Sequence, residues 1–77
     1  MADELSEWRR LRDEAGELLY LVVRARRLGV GREAEETYRE WLADRISYRD
    51  ARERLERLLE AAADRAKAAQ YRMYIDR

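Results

Sequence analysis

The side chains that most often do chemistry in proteins are missing here: the sequence has no histidine and no cysteine. The imidazole base, the thiolate nucleophile and the soft-metal ligand are lost with them. Carboxylates remain, 17 in all, and several glutamates stand three residues apart, Glu14 with Glu17 and Glu33 with Glu36 among them. That spacing puts both acids of a pair on one helix face. The helical nucleotide pyrophosphohydrolases hold Mg²⁺ with Glu-x-x-Glu followed by a Glu-x-x-Asp, and this chain lacks that second half. Glu40 to Asp44 and Glu60 to Asp64 are each one residue too long. In so acidic a chain Glu-x-x-Glu arises by chance. The expectation is a protein that is not an enzyme, with no cofactor, no metal and no small-molecule substrate.

Arginine is the other reactive presence. Basic and acidic residues balance at 17 each, so overall charge does not call for nucleic acid or an anionic membrane. The distribution is uneven, however. Arg24, Arg26, Arg27 and Arg32 surround one turn, and Arg45, Arg49 and Arg52 surround the next. Brought to one end of the molecule, they could grip phosphates. The alternative expectation is therefore a nucleic-acid-binding or ribonucleoprotein-associated protein, with Arg24, Arg26, Arg27, Arg32, Arg49 and Arg52 as candidate contacts. Glu53 and Glu56 lie near where bases would be read, and a recognition helix this long is unusual. The plainer reading is that these arginines complement helix dipoles and form solvated ion pairs.

The elements that carry these residues are helical. Proline is absent and there are three glycines, Gly16, Gly29 and Gly31, in a chain rich in Ala, Leu, Arg and Glu. From Asp3, a candidate cap, the steps Trp8, Leu11, Ala15, Leu18, Val22, Ala25 trace one stripe. Gly29 suits a left-handed cap with Val30 as its apolar contact. The first helix is expected over about 4–28. Gly31 permits a turn, and Glu33, Glu35 and Glu36 crowd the next first turn, giving a second helix over about 32–44. Ser47-Tyr48-Arg49-Asp50 reads as a capping box with Asp for Glu, and Ile46 as its staple. The third helix, over about 48–75, carries the stripe Tyr48, Ala51, Leu55, Leu58, Ala62, Ala66, Ala69, Met73. Residues 1–23 carry three basic and six acidic groups, and residues 61–77 four basic and two acidic, net −3 against +2. Charge thus favours an antiparallel hairpin of the two long helices, with the short helix as a brace between them. The fold class expected is all-α, a single domain over 1–77, completed into a larger bundle by oligomerisation.

Three features exceed what a lone hairpin needs. The run Leu18-Leu19-Tyr20-Leu21-Val22-Val23 covers every side of its helix, and a helix apolar all round is normally buried all round. Covering by the short helix is the simpler explanation, and a partner is the other. Ala61, Ala62, Ala63, Ala66, Ala68 and Ala69 permit close helix approach, or simply favour helix. Tyr71 and Tyr74 point away from the third helix's stripe. The interface expected comprises Leu18, Leu19, Tyr20, Leu21, Val23, Tyr71 and Tyr74. The partner expected is protein, a homodimer or a hetero-assembly, with no membrane. The longest apolar run is six residues and no signal peptide is visible, so a cytoplasmic protein is expected.

The segment Trp41 to Ala51, continuing to Leu58-Leu59, resembles the short helical oligomerisation domains known as SHOCT. Ser47 stands for the Thr and Asp50 for the Glu of their Ile-Thr-x-x-Glu cap. The resemblance implies a short helix, a turn, a second helix and self-association. The chain departs from that pattern at Asp44-Arg45, where the turn glycine belongs, and at Ala51, where an aromatic belongs. The long-short-long helix order and Leu11-Arg12, Leu18-Leu19 and Arg24 are loosely similar to the helical chorismate mutases. The spacing is too short for them, and their later Lys and Gln have no counterpart.

Overall fold

Three helices form between the two places where the backbone turns. The computed structural model describes residues 2–75, with side chains placed over residues 3–73. The helices are α1, Ala2–Arg27; α2, Gly31–Leu42; and α3, Tyr48–Ile75. α1 starts earlier than the sequence suggested, so Asp3 sits inside its first turn beside Glu4 rather than capping it. Acids there complement the helix dipole.

Each turn closes its helix in the same way. After α1, the Gly29 N–H donates to the Arg26 carbonyl at 3.1 Å and the Val30 N–H to the Ala25 carbonyl at 2.9 Å. Gly29 has φ 81°, and Val30 drops into the core. This is the left-handed cap with its apolar contact. After α2, the Asp44 N–H donates to the Trp41 carbonyl at 3.0 Å and the Arg45 N–H to the Glu40 carbonyl at 2.9 Å. Here the left-handed residue is Asp44, at φ 60°. α2 therefore ends at Leu42 rather than at Asp44, because aspartate tolerates this conformation better than most residues. α3 opens on Ser47, whose Oγ accepts the Asp50 N–H at 3.1 Å. Gly31 has a reason other than turning. A Cβ there would lie 3.1 Å from Arg26 Cα and closer still to its side chain, so glycine lets α2 start hard against the end of α1.

The chain reverses twice, and this corrects the expected hairpin. α2 folds back along α1: Arg26 meets Glu35 near the turn, while Trp41 and Leu42 share a groove with Leu11 and Ala15. α3 then folds back along α2, pairing Arg54 with Glu40 at 2.8 Å. Two reversals restore the starting direction, so α1 and α3 run parallel. Their contacts ascend together. Glu17 meets Tyr48 and Arg52, and further along Arg24 and Leu28 share a groove with Glu56, Glu60 and Ala63. α2 is thus a full antiparallel middle helix, not a brace across one turn.

The two long helices are also staggered, because α2 has only 12 residues, about 18 Å, to carry the chain back. Residue 17 of α1 lies level with residues 48–52 of α3. The molecule is a rod of 65 × 19 × 15 Å, where a hairpin of the same helices would reach only about 42 Å. The core fills the overlap and nothing more. Leu18, Val22 and Ala25 of α1 meet Val30 and Ala34, and Ala51, Leu55, Leu59 and Ala62 of α3. Tyr38 and Trp41 pack beside it with ring centroids 5.7 Å apart. Among the described residues no helix is long and apolar enough to cross a membrane.

Candidate functional site

Stagger leaves each long helix with an arm that the rest of the chain covers only thinly. The α1 arm, residues 3–15, has no fully buried side chain, and neither does the described part of the α3 arm, residues 63–73. The apolar stripes nonetheless continue along both. Trp8 is 74% exposed and Leu11 48%, although both extend the stripe that buries Leu18 and Val22 further on, and Leu5 beside them is 64% exposed. On α3, Ala66, Ala69 and Met73 extend the line of Leu55 and Ala62 into solvent. The periodicity read from the sequence was that of a core, and the chain buries only the inner part of each stripe.

The α1 arm joins a second exposed line. Leu5, Trp8, Ala15, Leu19 and Val23 are separated by three, seven, four and four residues, which keeps them on one side of the helix. The C-terminal end of α2 stands beside this line. Leu5, Trp8, Leu11, Ala15, Trp41 and Leu42 form the apolar walls of an open groove edged by Arg9 and Arg12.

The expected interface residues separate into two groups. Leu18 is fully buried in the chain's own core, so it is not available to a partner. Val22 is buried with it, and Leu21 packs half-buried against the same core. α2 and α3 together therefore cover about half of the six-residue run. Leu19, Tyr20 and Val23 stay exposed, as does Tyr71, while the Tyr74 side chain lies outside the described residues. Leu5, Trp8, Leu11, Leu42 and Met73 are exposed large apolar residues that sequence reasoning either counted as core or passed over. The signal that could have found them was the length of the stripes, each longer than a 12-residue return helix can cover.

The arginines do not form one cluster. Arg24 and Arg52 do line one open groove, together with Arg12, Glu17 and Glu56, but Arg27 and Arg32, at and beyond the end of α1, are held apart from Arg49 at the start of α3 by the length of α2, about 18 Å. Several are engaged. Arg26 Nε donates to Glu35 at 2.9 Å. Arg52 lies 3.7 Å from Glu17 and 3.0 Å from Glu56. Arg49 lies 3.7 Å from Glu53, and Arg24 stacks over the Tyr20 ring at 5.9 Å. Arg27 and Arg32 are exposed. All these pairs are solvent-accessible and individually weak, but they return the local charge toward zero. The Glu-x-x-Glu pairs do not converge either. Glu14 reaches toward Arg10 at 4.0 Å, Glu17 accepts from the Tyr48 hydroxyl, and no three acidic side chains among the described residues meet as metal ligands would.

What the site offers chemically is apolar contact and opposite charge. Residues 3–15 hold five acidic and three basic groups, net −2; residues 63–75 hold three basic and one acidic, net +2. No family model, curated protein or solved structure matches the chain, the SHOCT-like segment included.

Proposed function

We propose that this chain is a helical protein–protein interaction module that works by self-association, with helix packed on helix through the exposed line of α1 and the ends of both long helices. The observation that carries this reading is Trp8, a large aromatic on the core stripe left 74% exposed. Whole-molecule geometry supports it. A folded monomer of this size would expose roughly 5,000 Å², whereas the chain exposes 6804 Å². Its radius of gyration is 16.2 Å against about 11.5 Å for a globular domain of this length. The surplus surface, about 1,800 Å², exceeds the roughly 800 Å² per partner of a standard interface. The cysteine-free composition suits a reducing compartment, and the reading places the module in the cytoplasm.

Light scattering across a dilution series tests the proposal. The mass should rise above the 9.3 kDa of one chain as concentration increases, and Val23→Asp should lower it again without loss of helicity. A mass fixed at one chain throughout would end the self-association reading and leave that of an accessory subunit for a different protein.

A further inference from the structure

We infer that the partner is a second copy in antiparallel, two-fold arrangement, the α1 arm of each chain receiving the α3 arm of the other. This rests on the self-association reading above. Four observations single out this occupant. The arms are matched in length, residues 3–15 and 63–75, about 20 Å each. Their net charges are −2 and +2, so copies set parallel would place like charge on like, while copies set antiparallel bring opposites together. Their apolar lines differ in bulk in a complementary way. The α1 arm carries Trp8 and Leu11 where the α3 arm carries Ala69 and Ala66, with Met73 further out toward Leu5, so at the two inner positions large residues face small ones across the contact. Finally, the surplus surface is enough for an interface at both ends of the rod.

A two-fold axis across the middle of the overlap exchanges the arms. To within one helical turn it sets Trp8 opposite the partner's Ala69, and Leu11 opposite the partner's Ala66. The α3 arm then lies in the open groove beside Trp41 and Leu42. Both contacts form at once, so the assembly closes at two chains rather than growing into a filament. The antiparallel pairing of acidic N-terminal and basic C-terminal segments that charge favours is thereby satisfied between chains instead of within one.

Disulfide trapping tests the geometry, since the chain has no cysteine of its own. Arg12→Cys and Ala66→Cys are made as separate variants of the full chain. Within one chain these positions are about 30 Å apart along the rod, far beyond the roughly 7 Å between Cα atoms that a disulfide spans. In the proposed dimer Arg12→Cys of one copy lies beside Ala66→Cys of the other, and each is far from its own equivalent. Oxidising an equimolar mixture should give the mixed disulfide well above its statistical share, with little crosslinking in either variant alone. Light scattering on the same samples separates the two claims. A two-chain mass with Arg12→Cys crosslinking to itself, or with no mixed disulfide, overturns the antiparallel arrangement and leaves self-association standing. A one-chain mass at every concentration overturns both.

Discussion

Replacing Trp8 by alanine should weaken association while leaving the isolated fold intact, and replacing Leu55 by alanine should do the reverse. Trp8 is 74% exposed within one chain and Leu55 fully buried. A tryptophan carries on the order of 200 Å² of contact surface, so covering the exposed part of Trp8 removes about 150 Å² from water. At about 25 cal/mol per Å² that is nearly 4 kcal/mol. Entropy and imperfect contact reduce it, and interface aromatics commonly register about 2 kcal/mol or more on truncation. Both copies of a two-fold dimer lose the side chain, so about 4 kcal/mol is expected, a dissociation constant raised roughly 1,000-fold. Leu55→Ala opens a core cavity, and such changes cost about 2–5 kcal/mol. The assay is denaturant unfolding followed by circular dichroism at two protein concentrations, with sedimentation equilibrium on each variant. In dilute solution Trp8→Ala should unfold within about 0.5 kcal/mol of the parent, losing stability only at high concentration. Leu55→Ala should be weaker at both. If Trp8→Ala destabilised the dilute protein as much as Leu55→Ala does, the Trp8 ring would belong to the chain's own core and the reasoning would be wrong.

Three further outcomes follow from the turns and the arginines. Gly29→Ala places a Cβ at φ 81° and should cost about 1–2 kcal/mol, seen as a melting temperature lower by roughly 5 °C or more. Asp44→Gly should stabilise the chain by about 0.5–1 kcal/mol, because the native φ of 60° strains aspartate and not glycine; a lower melting temperature would contradict the cap. Short nucleic-acid duplexes should show no tight binding in roughly 50 mM salt. Salt-sensitive binding that vanishes when Arg24, Arg26 and Arg27 become Glu would move the function to nucleic acid.

Local structure was legible because the residues that set it are local. Missing proline, the Gly29 cap and the Ser47 cap place three helices with little ambiguity, and α3 runs over the residues that its capping signal marks. The core was half legible. Leu18, Val22, Ala25, Ala51, Leu55 and Ala62 follow from periodicity, while Trp8, Leu11, Ala66 and Met73 have the same spacing and are not buried. Periodicity says which face of a helix wants covering and does not say where the cover stops. Helix direction was not legible from charge, since the −3 and +2 segments attract equally well within a chain or between two. What decides the matter is the sum of two short reversals. The second of these depends on Asp44 taking a left-handed conformation that no glycine announces.

Trp8 itself can report whether a second copy covers it. In a Trp41→Phe background it is the chain's sole tryptophan, and its fluorescence depends on whether water surrounds the ring. On raising the concentration from dilute solution, the emission should shift to the blue and quenching by iodide should fall, both saturating with the rise in mass. Emission that stays red and fully quenchable while the mass doubles would mean that the copies meet elsewhere, contradicting the account at its centre.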